Sequence, residues 1–335
     1  MSAANTLVVG SAVGRAGEKS SGFLDVPEKA DAGARIPVTV ITGIEAGPTL
    51  ALVAGVHGSE PSPIVALQRV RAELDPKQLA GAVILVHIAN VPSFQHRTVY
   101  RGPHDHKNLN RVFPGKTDGT TSERIAHAIT TQVIDQCDCL VDIHSGDGNE
   151  ALRPYAYWNK LGLDEDVDRR ARAMVLAFGL DHVVVDRGRP ADRNASLFCS
   201  NTAHVRGKPA ITTEAGQLGV PTDEMVALNV RGAFRVMRHL GMLAGARETV
   251  ERARWIEPSA VLTSPDTGLW YPVVRPDQTV GKGALLGRLT DYFGETIAEL
   301  TAPMDGVVLY VVASPAMGRG DPVAMVGAYA AHDPE

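Results

Sequence analysis

His57-Gly58-Ser59-Glu60 sets an imidazole and a carboxylate three residues apart, directly after the apolar run Thr49–Val53. In a turn or a first helical turn that spacing can bring both groups to one metal, and Gly55 and Gly58 allow close backbone approach. Alone, the pair is better explained as a surface contact, because a histidine and an acid three apart recur by chance in most chains. His144 changes the balance: it ends a second apolar run, Cys139–Ile143, and is followed by Ser145-Gly146. Two histidines and a glutamate make an open zinc site whose fourth position is left for water. Glu214 ends a third run, Pro209–Thr213. A carboxylate beside such a site can take a proton from water and hand it to a leaving amine; away from one it is an ordinary loop acid. Asp142, two residues before His144, suits either an acceptor that orients an imidazole or a structural hydrogen bond.

Between the first two runs lies Asn108-Leu109-Asn110-Arg111. A guanidinium fork matches a carboxylate bidentately, so Asn110 and Arg111 suit a clamp on a substrate carboxylate, the alternative being a turn with a surface arginine. Arg101, or with less support Arg97, could reach a developing oxyanion; each is otherwise a solvated loop charge. His104-Asp105-His106 looks like a metal motif but has no strand to fix it. The chain has no Gly-x-Ser-x-Gly elbow and no phosphate-binding loop.

The elements that must position these groups follow from periodicity. Thr49–Ala54, Ala82–Ile88 and Val183–Val185 are continuous apolar runs, as strands buried on both faces are, and Ile36–Ile41 alternates like an edge strand. Helical spacing follows at Ile64, Leu67, Val70 and Leu74. It recurs from Thr120, which forms a capping box with Glu123, and again over Asp164–Phe178, closed by Gly179, and over Asp223–Leu240. The alternation predicts an α/β catalytic domain over residues 1–250, with a mostly parallel or mixed sheet covered by helices on both faces. In such sheets ligands sit outside the carboxyl ends of the strands, where the three runs deliver His57, Glu60, His144 and Glu214. Ser93–Gly119 and Arg187–Lys208 read as irregular, the first as a functional loop. Beyond a linker near Arg252–Pro258, short β-runs punctuated by glycine and proline predict a small all-β domain over residues 257–330.

Composition excludes more than it specifies. With 335 residues, 44% hydrophobic, and a net charge of −5, the chain can build a large core and has no overall basic charge for nucleic acid or anionic membrane. It has neither a signal-peptide pattern at its start nor a long uninterrupted apolar stretch, so a cytoplasmic protein is expected. Cys137 and Cys139 read as small buried strand residues rather than as thiolate ligands or disulfide partners.

Taken together, Gly55-Val56-His57-Gly58-Ser59-Glu60, Asn108-Leu109-Asn110-Arg111-Val112-Phe113-Pro114-Gly115, Asp142-Ile143-His144-Ser145-Gly146 and Thr213-Glu214-Ala215-Gly216 resemble the succinylglutamate desuccinylase/aspartoacylase family, in the family's order. The resemblance spans about residues 20 to 330 and is nearest to a bacterial branch that includes N-acetyl-diaminobutyrate deacetylases. It implies a zinc-carboxypeptidase-like domain that hydrolyses a small N-acyl amino acid to a carboxylate and a free amino acid. By motif, His57, Glu60 and His144 would hold one zinc ion per chain, Asn110 and Arg111 the substrate carboxylate, and Glu214 would be the base, with Arg101 a looser match to the oxyanion arginine. The C-terminal part resembles the family's β domain, itself similar to biotinyl/lipoyl barrels. The hairpin Asp291-Tyr292-Phe293-Gly294-Glu295 carries no attachment lysine, so a wall or gate over the zinc cleft is expected, with Tyr292 as a substrate contact. The alternatives are a zinc carboxypeptidase acting on short peptides and a non-catalytic metal-binding protein. A homo-oligomer is possible, being common among soluble proteins.

Overall fold

The strand Glu45–Ala54 lies between Ala80–Val86 and Cys139–His144, parallel to both, and Ala210–Glu214 continues the parallel set beyond Cys139–His144. These strands form the centre of a 13-stranded mixed sheet in a computed structural model that describes residues 6–334. Leu50 to Ala54 are all 0% exposed, which explains why that stretch shows no alternation: both faces are covered. Leu50, Leu52 and Ala54 pack with Ile64, Leu67 and Val70 of helix Pro61–Glu73 and with Val226 and Val236 of helix Asp223–His239. Ala51 and Val53 point the other way, onto Ile125 and Ile129 of helix Thr121–Gln132 and Cys199 and Ala203 of helix Cys199–His204. Burial of each leucine there stabilises the fold by roughly 2 kcal/mol.

Local signals set the helix ends. Thr120 and Glu123 form the expected capping box; the Asp164 carboxylate accepts from Asp166 N–H and Val167 N–H, and Gly179 closes that helix at φ +96°. Among the described residues no helix is long and apolar enough to cross a membrane. Cys137, Cys139 and Cys199 are buried free thiols.

Three expectations need correction. Residues 252–258 are not a linker: Arg254–Thr263 is a strand, parallel to His182–Asp186 and antiparallel to Pro322–Tyr329, so one sheet runs on into the C-terminal part. Its inward residues, Trp255 and Ile256, are buried, while flanking Arg254 and Glu257 made the segment read as polar. The stretch after Ser93 is less irregular than expected, because helix Val91–His96 overlaps its start. Arg187–Lys208 likewise contains the buried helix Cys199–His204.

The regular elements of the C-terminal part, among the described residues, are strands. Gly306–Val312 and Pro322–Tyr329 extend the large sheet, and a four-stranded sheet with Leu285–Thr290 at its interior packs beside them around Trp270 and Leu286. Glu150–Leu152, directly after the His144 strand end, pairs antiparallel with Gly306–Val312. That pairing brings the C-terminal strands to the carboxyl edge of the catalytic strands.

Candidate active site

His57 and Glu60 sit in the turn that joins the central strand to helix Pro61–Glu73. Gly55 adopts φ +67° there, and a Cβ on Gly58 would lie 2.1 Å from Phe94 N, so the turn requires glycine at both places. Glu60 is the residue before the helix, yet its side chain caps no helical N–H. Instead its two oxygens face two imidazoles: Oε1 is 2.7 Å from His57 Nδ1 and Oε2 is 2.9 Å from His144 Nδ1. Both rings are held from behind. His57 Nε2 meets Asn108 Oδ1 at 3.1 Å, and His144 Nε2 lies 3.1 Å from Asp142 Oδ1.

This donor set fits a divalent metal. Ligand atoms of His57, Glu60 and His144 all lie within 4.8 Å of one another, and both Nδ1 edges converge on Glu60. The electrostatics agree. Burial pushes the Glu60 carboxyl up, but the charges of His144 and His57 more than offset this and hold it at about 2. Burial pulls both imidazoles down, and Glu60 overcomes it so that both sit above their ordinary value. The cluster is therefore built to hold positive charge.

Glu214 ends the strand next to the His144 strand and opens on the same cavity of about 530 Å³. Burial lifts its carboxyl well above the usual range, with Glu60, Glu150 and Asp142 adding to the lift and His144 opposing it. A carboxyl poised in this way suits proton transfer, and the charge of a bound divalent cation would pull it back down.

Among the other expected residues, Arg101 and Arg111 line the cavity. Arg97 does not; it faces a separate cleft with Ser59 and Gly148. Arg111 lies with its guanidinium 4.5 Å from the Phe198 ring centre, and Arg189 lies 3.7 Å from the same ring, held by Asp186. Asn110 is placed differently from the expectation. Its Oδ1 accepts from Cys199 N–H and its Nδ2 lies 3.3 Å from His144 Nε2, so it supports the histidine from behind and does not line the cavity. Tyr292 is also misplaced: it is 75% exposed at a hairpin tip, away from the cavity. The C-terminal wall consists of Val261, Thr263, Tyr310 and the turn Gly320–Pro322. Asp105 of the metal-like His104–His106 triplet accepts from Ser122 N–H and Ser122 O–H instead.

Tyr100, Asn108, Ser145, Glu150, Tyr155 and Tyr157 line the cavity without having been expected. Tyr155 and Tyr157 share one face of a strand antiparallel to Ala210–Glu214, with Tyr155 in register with Glu214. Their alternation with Ala156 and Trp158 was a readable strand signal.

Residues 46–240 match the family model described as the succinylglutamate desuccinylase/aspartoacylase catalytic domain. The chain is 31% identical over 322 residues to N-alpha-acetyl-L-2,4-diaminobutyric acid deacetylase from Halomonas elongata, covering 91% of this chain and 90% of that protein. The product-bound ectoine utilization protein EutE from Ruegeria pomeroyi superposes with a TM-score of 0.81 at 29% identity, over 92% of this chain and 95% of that one. The succinylglutamate desuccinylase/aspartoacylase from Rhodobacter sphaeroides gives 0.79 at 27%, over 93% and 96%.

Proposed function

The chain belongs to the succinylglutamate desuccinylase/aspartoacylase family, and from that premise we propose that it is a zinc-dependent hydrolase of small N-acyl amino acids. The observation that carries the proposal is the opening of His57, Glu60, Glu214, Arg101 and Arg111 onto a single cavity of about 530 Å³. That volume suits a small molecule.

Zinc held by His57, Glu60 and His144 would polarise the amide carbonyl and make a water at that position acidic. Glu214 takes the proton from that water and later gives it to the departing amine, so one carboxyl serves as base and then as acid. Arg111 pairs with the substrate carboxylate and fixes the amide relative to Glu214. Arg101 donates to the oxygen on which charge develops. Asp142 lies beside His144 Nε2 and would orient the ring so that Nδ1 turns toward Glu60.

A carboxypeptidase would use the same groups but must admit a peptide chain. The wall formed by Val261, Thr263 and Tyr310 disfavours that reading. Comparing turnover of an N-acetyl amino acid with that of a tripeptide separates the two: the deacylase cleaves only the first, and a preference for the tripeptide overturns the proposal.

A further inference from the structure

The catalytic cavity takes up only one part of the C-terminal strands. The four-stranded sheet beside them turns one face inward, where Trp270, Leu289 and Leu300 are buried with Val308, Ala324 and Val326. Its other face carries three side chains in direct register: Tyr271 on strand Gly268–Pro272, Arg288 on Leu285–Thr290 and Glu299 on Thr296–Thr301. Residues directly opposite across a sheet point to the same side, and all three are exposed. The Arg288 guanidinium lies 5.9 Å from the Tyr271 ring centre. Among the described residues neither Arg288 nor Glu299 forms an ion pair.

The hairpin that joins Leu285–Thr290 to Thr296–Thr301 ends in the two most exposed large apolar side chains among the described residues, Tyr292 at 75% and Phe293 at 92%. The tip is fixed by its own hydrogen bonds. Asp291 Oδ1 accepts from Phe293 N–H and Glu295 N–H, both at 2.9 Å, and Asp291 N–H donates to Glu295 O at 2.9 Å. Aromatic rings of this kind bury about 150–250 Å² each in a contact, and on a preorganised turn little entropy is lost when a partner covers them.

Which partner fits follows from the row of Tyr271, Arg288 and Glu299. One base and one acid side by side complement neither a basic nor an acidic surface, but they complement a second copy of themselves. A two-fold axis running along the strands, between Leu285–Thr290 and Thr296–Thr301, sets Arg288 against the partner's Glu299 and Glu299 against the partner's Arg288. An axis across the strands would set like charges together. The first axis also keeps both hairpin tips at one end of the contact, so the four aromatic rings meet.

We propose that this face is the contact of a symmetric dimer of the chain, held by Tyr292 and Phe293 and by two reciprocal Arg288–Glu299 pairs. The inference is independent of the deacylase reading, because none of these residues lines the catalytic cavity.

Sedimentation velocity over a concentration series tests it. The wild type should be dimeric at about 10 μM, as a micromolar or tighter constant requires. Phe293→Ser should weaken dimerisation about 30-fold or more, the scale of a lost aromatic anchor. Arg288→Glu and Glu299→Arg should each weaken it about 10-fold or more by opposing like charges. An equimolar mixture of those two variants should associate to within about 3-fold of the wild type, because both mixed contacts are again opposite in sign. Recovery in the mixture also shows that neither charge variant is misfolded. A wild type that stays monomeric at about 100 μM overturns the proposal. So does a dimer that survives all three substitutions, or a mixture no tighter than its components. Binding of the monomer to phosphatidylserine vesicles, lost in Phe293→Ser and without dimer formation, would assign the face to a membrane and overturn it as well.

Discussion

Glu214 and His144 are direct register partners at the ends of neighbouring parallel strands. Sheet geometry therefore delivers the carboxyl that we propose transfers the proton to the imidazole that we propose binds metal, without help from a loop. Because the backbone is fixed, side-chain reach is the remaining variable. Glu214→Asp, which withdraws the carboxyl by one methylene, should retain metal and lower kcat by about 10-fold or more, with KM changed less. Steady-state kinetics on metal-quantified protein checks this.

Metal at His57, Glu60 and His144 should stabilise the fold, since two imidazoles and a carboxylate are brought together there with little access to water. Adding zinc to chelator-stripped protein at about 1,000 times Kd should contribute about 4 kcal/mol and raise Tm by several degrees. Glu60→Ala should abolish the shift. A scanning-calorimetry pair with and without zinc reads both results.

The Phe198 ring carries Arg111 on one contact and Arg189 on another. Replacing it with leucine removes the aromatic face but keeps the bulk, so Phe198→Leu should raise KM about 3- to 10-fold and change kcat less, as loosening of a binding arginine requires. Arg111→Lys should raise KM further, because a single ammonium cannot reproduce the bidentate fork.

His87 predicts an acid sensitivity of its own. It is buried, its Nε2 meets Thr39 Oγ1 at 2.9 Å, and burial with the Arg71 charge lowers it from 6.5 to about 4. The unfolded chain therefore takes up the proton first. The stability that His87 contributes is intact above pH 6.5 and is lost as the pH falls to 4, amounting to about 3 kcal/mol. His87→Gln keeps a hydrogen-bonding group and removes the titration. The difference in Tm between wild type and variant should move against the wild type across that window and stay constant above it.

The strand ends were legible because continuous apolar runs announce strands buried on both faces, and the side chains that follow them are forced to one edge. His144 and Glu214 could be placed together on that ground before any pairing was known. Tyr310 and Glu150 could not: they meet only because Glu150–Leu152 pairs with Gly306–Val312, more than 150 residues away, and nothing local encodes that choice. Tyr292 illustrates the converse. A hairpin position matched by likeness to a family says nothing of which way the tip points, and here it points to solvent. The placement of Asn110 was hidden for a related reason, since the Cys199 N–H that donates to its Oδ1 belongs to a helix in a polar stretch without visible period.

The most direct test is hydrolysis of an N-acetyl amino acid by zinc-loaded wild-type protein and by Glu214→Gln, with metal content measured in both. Release of free amino acid by the wild type, and a loss of about 100-fold or more in kcat in the variant at unchanged zinc content, is the expected result. Near-normal turnover by Glu214→Gln would contradict the account.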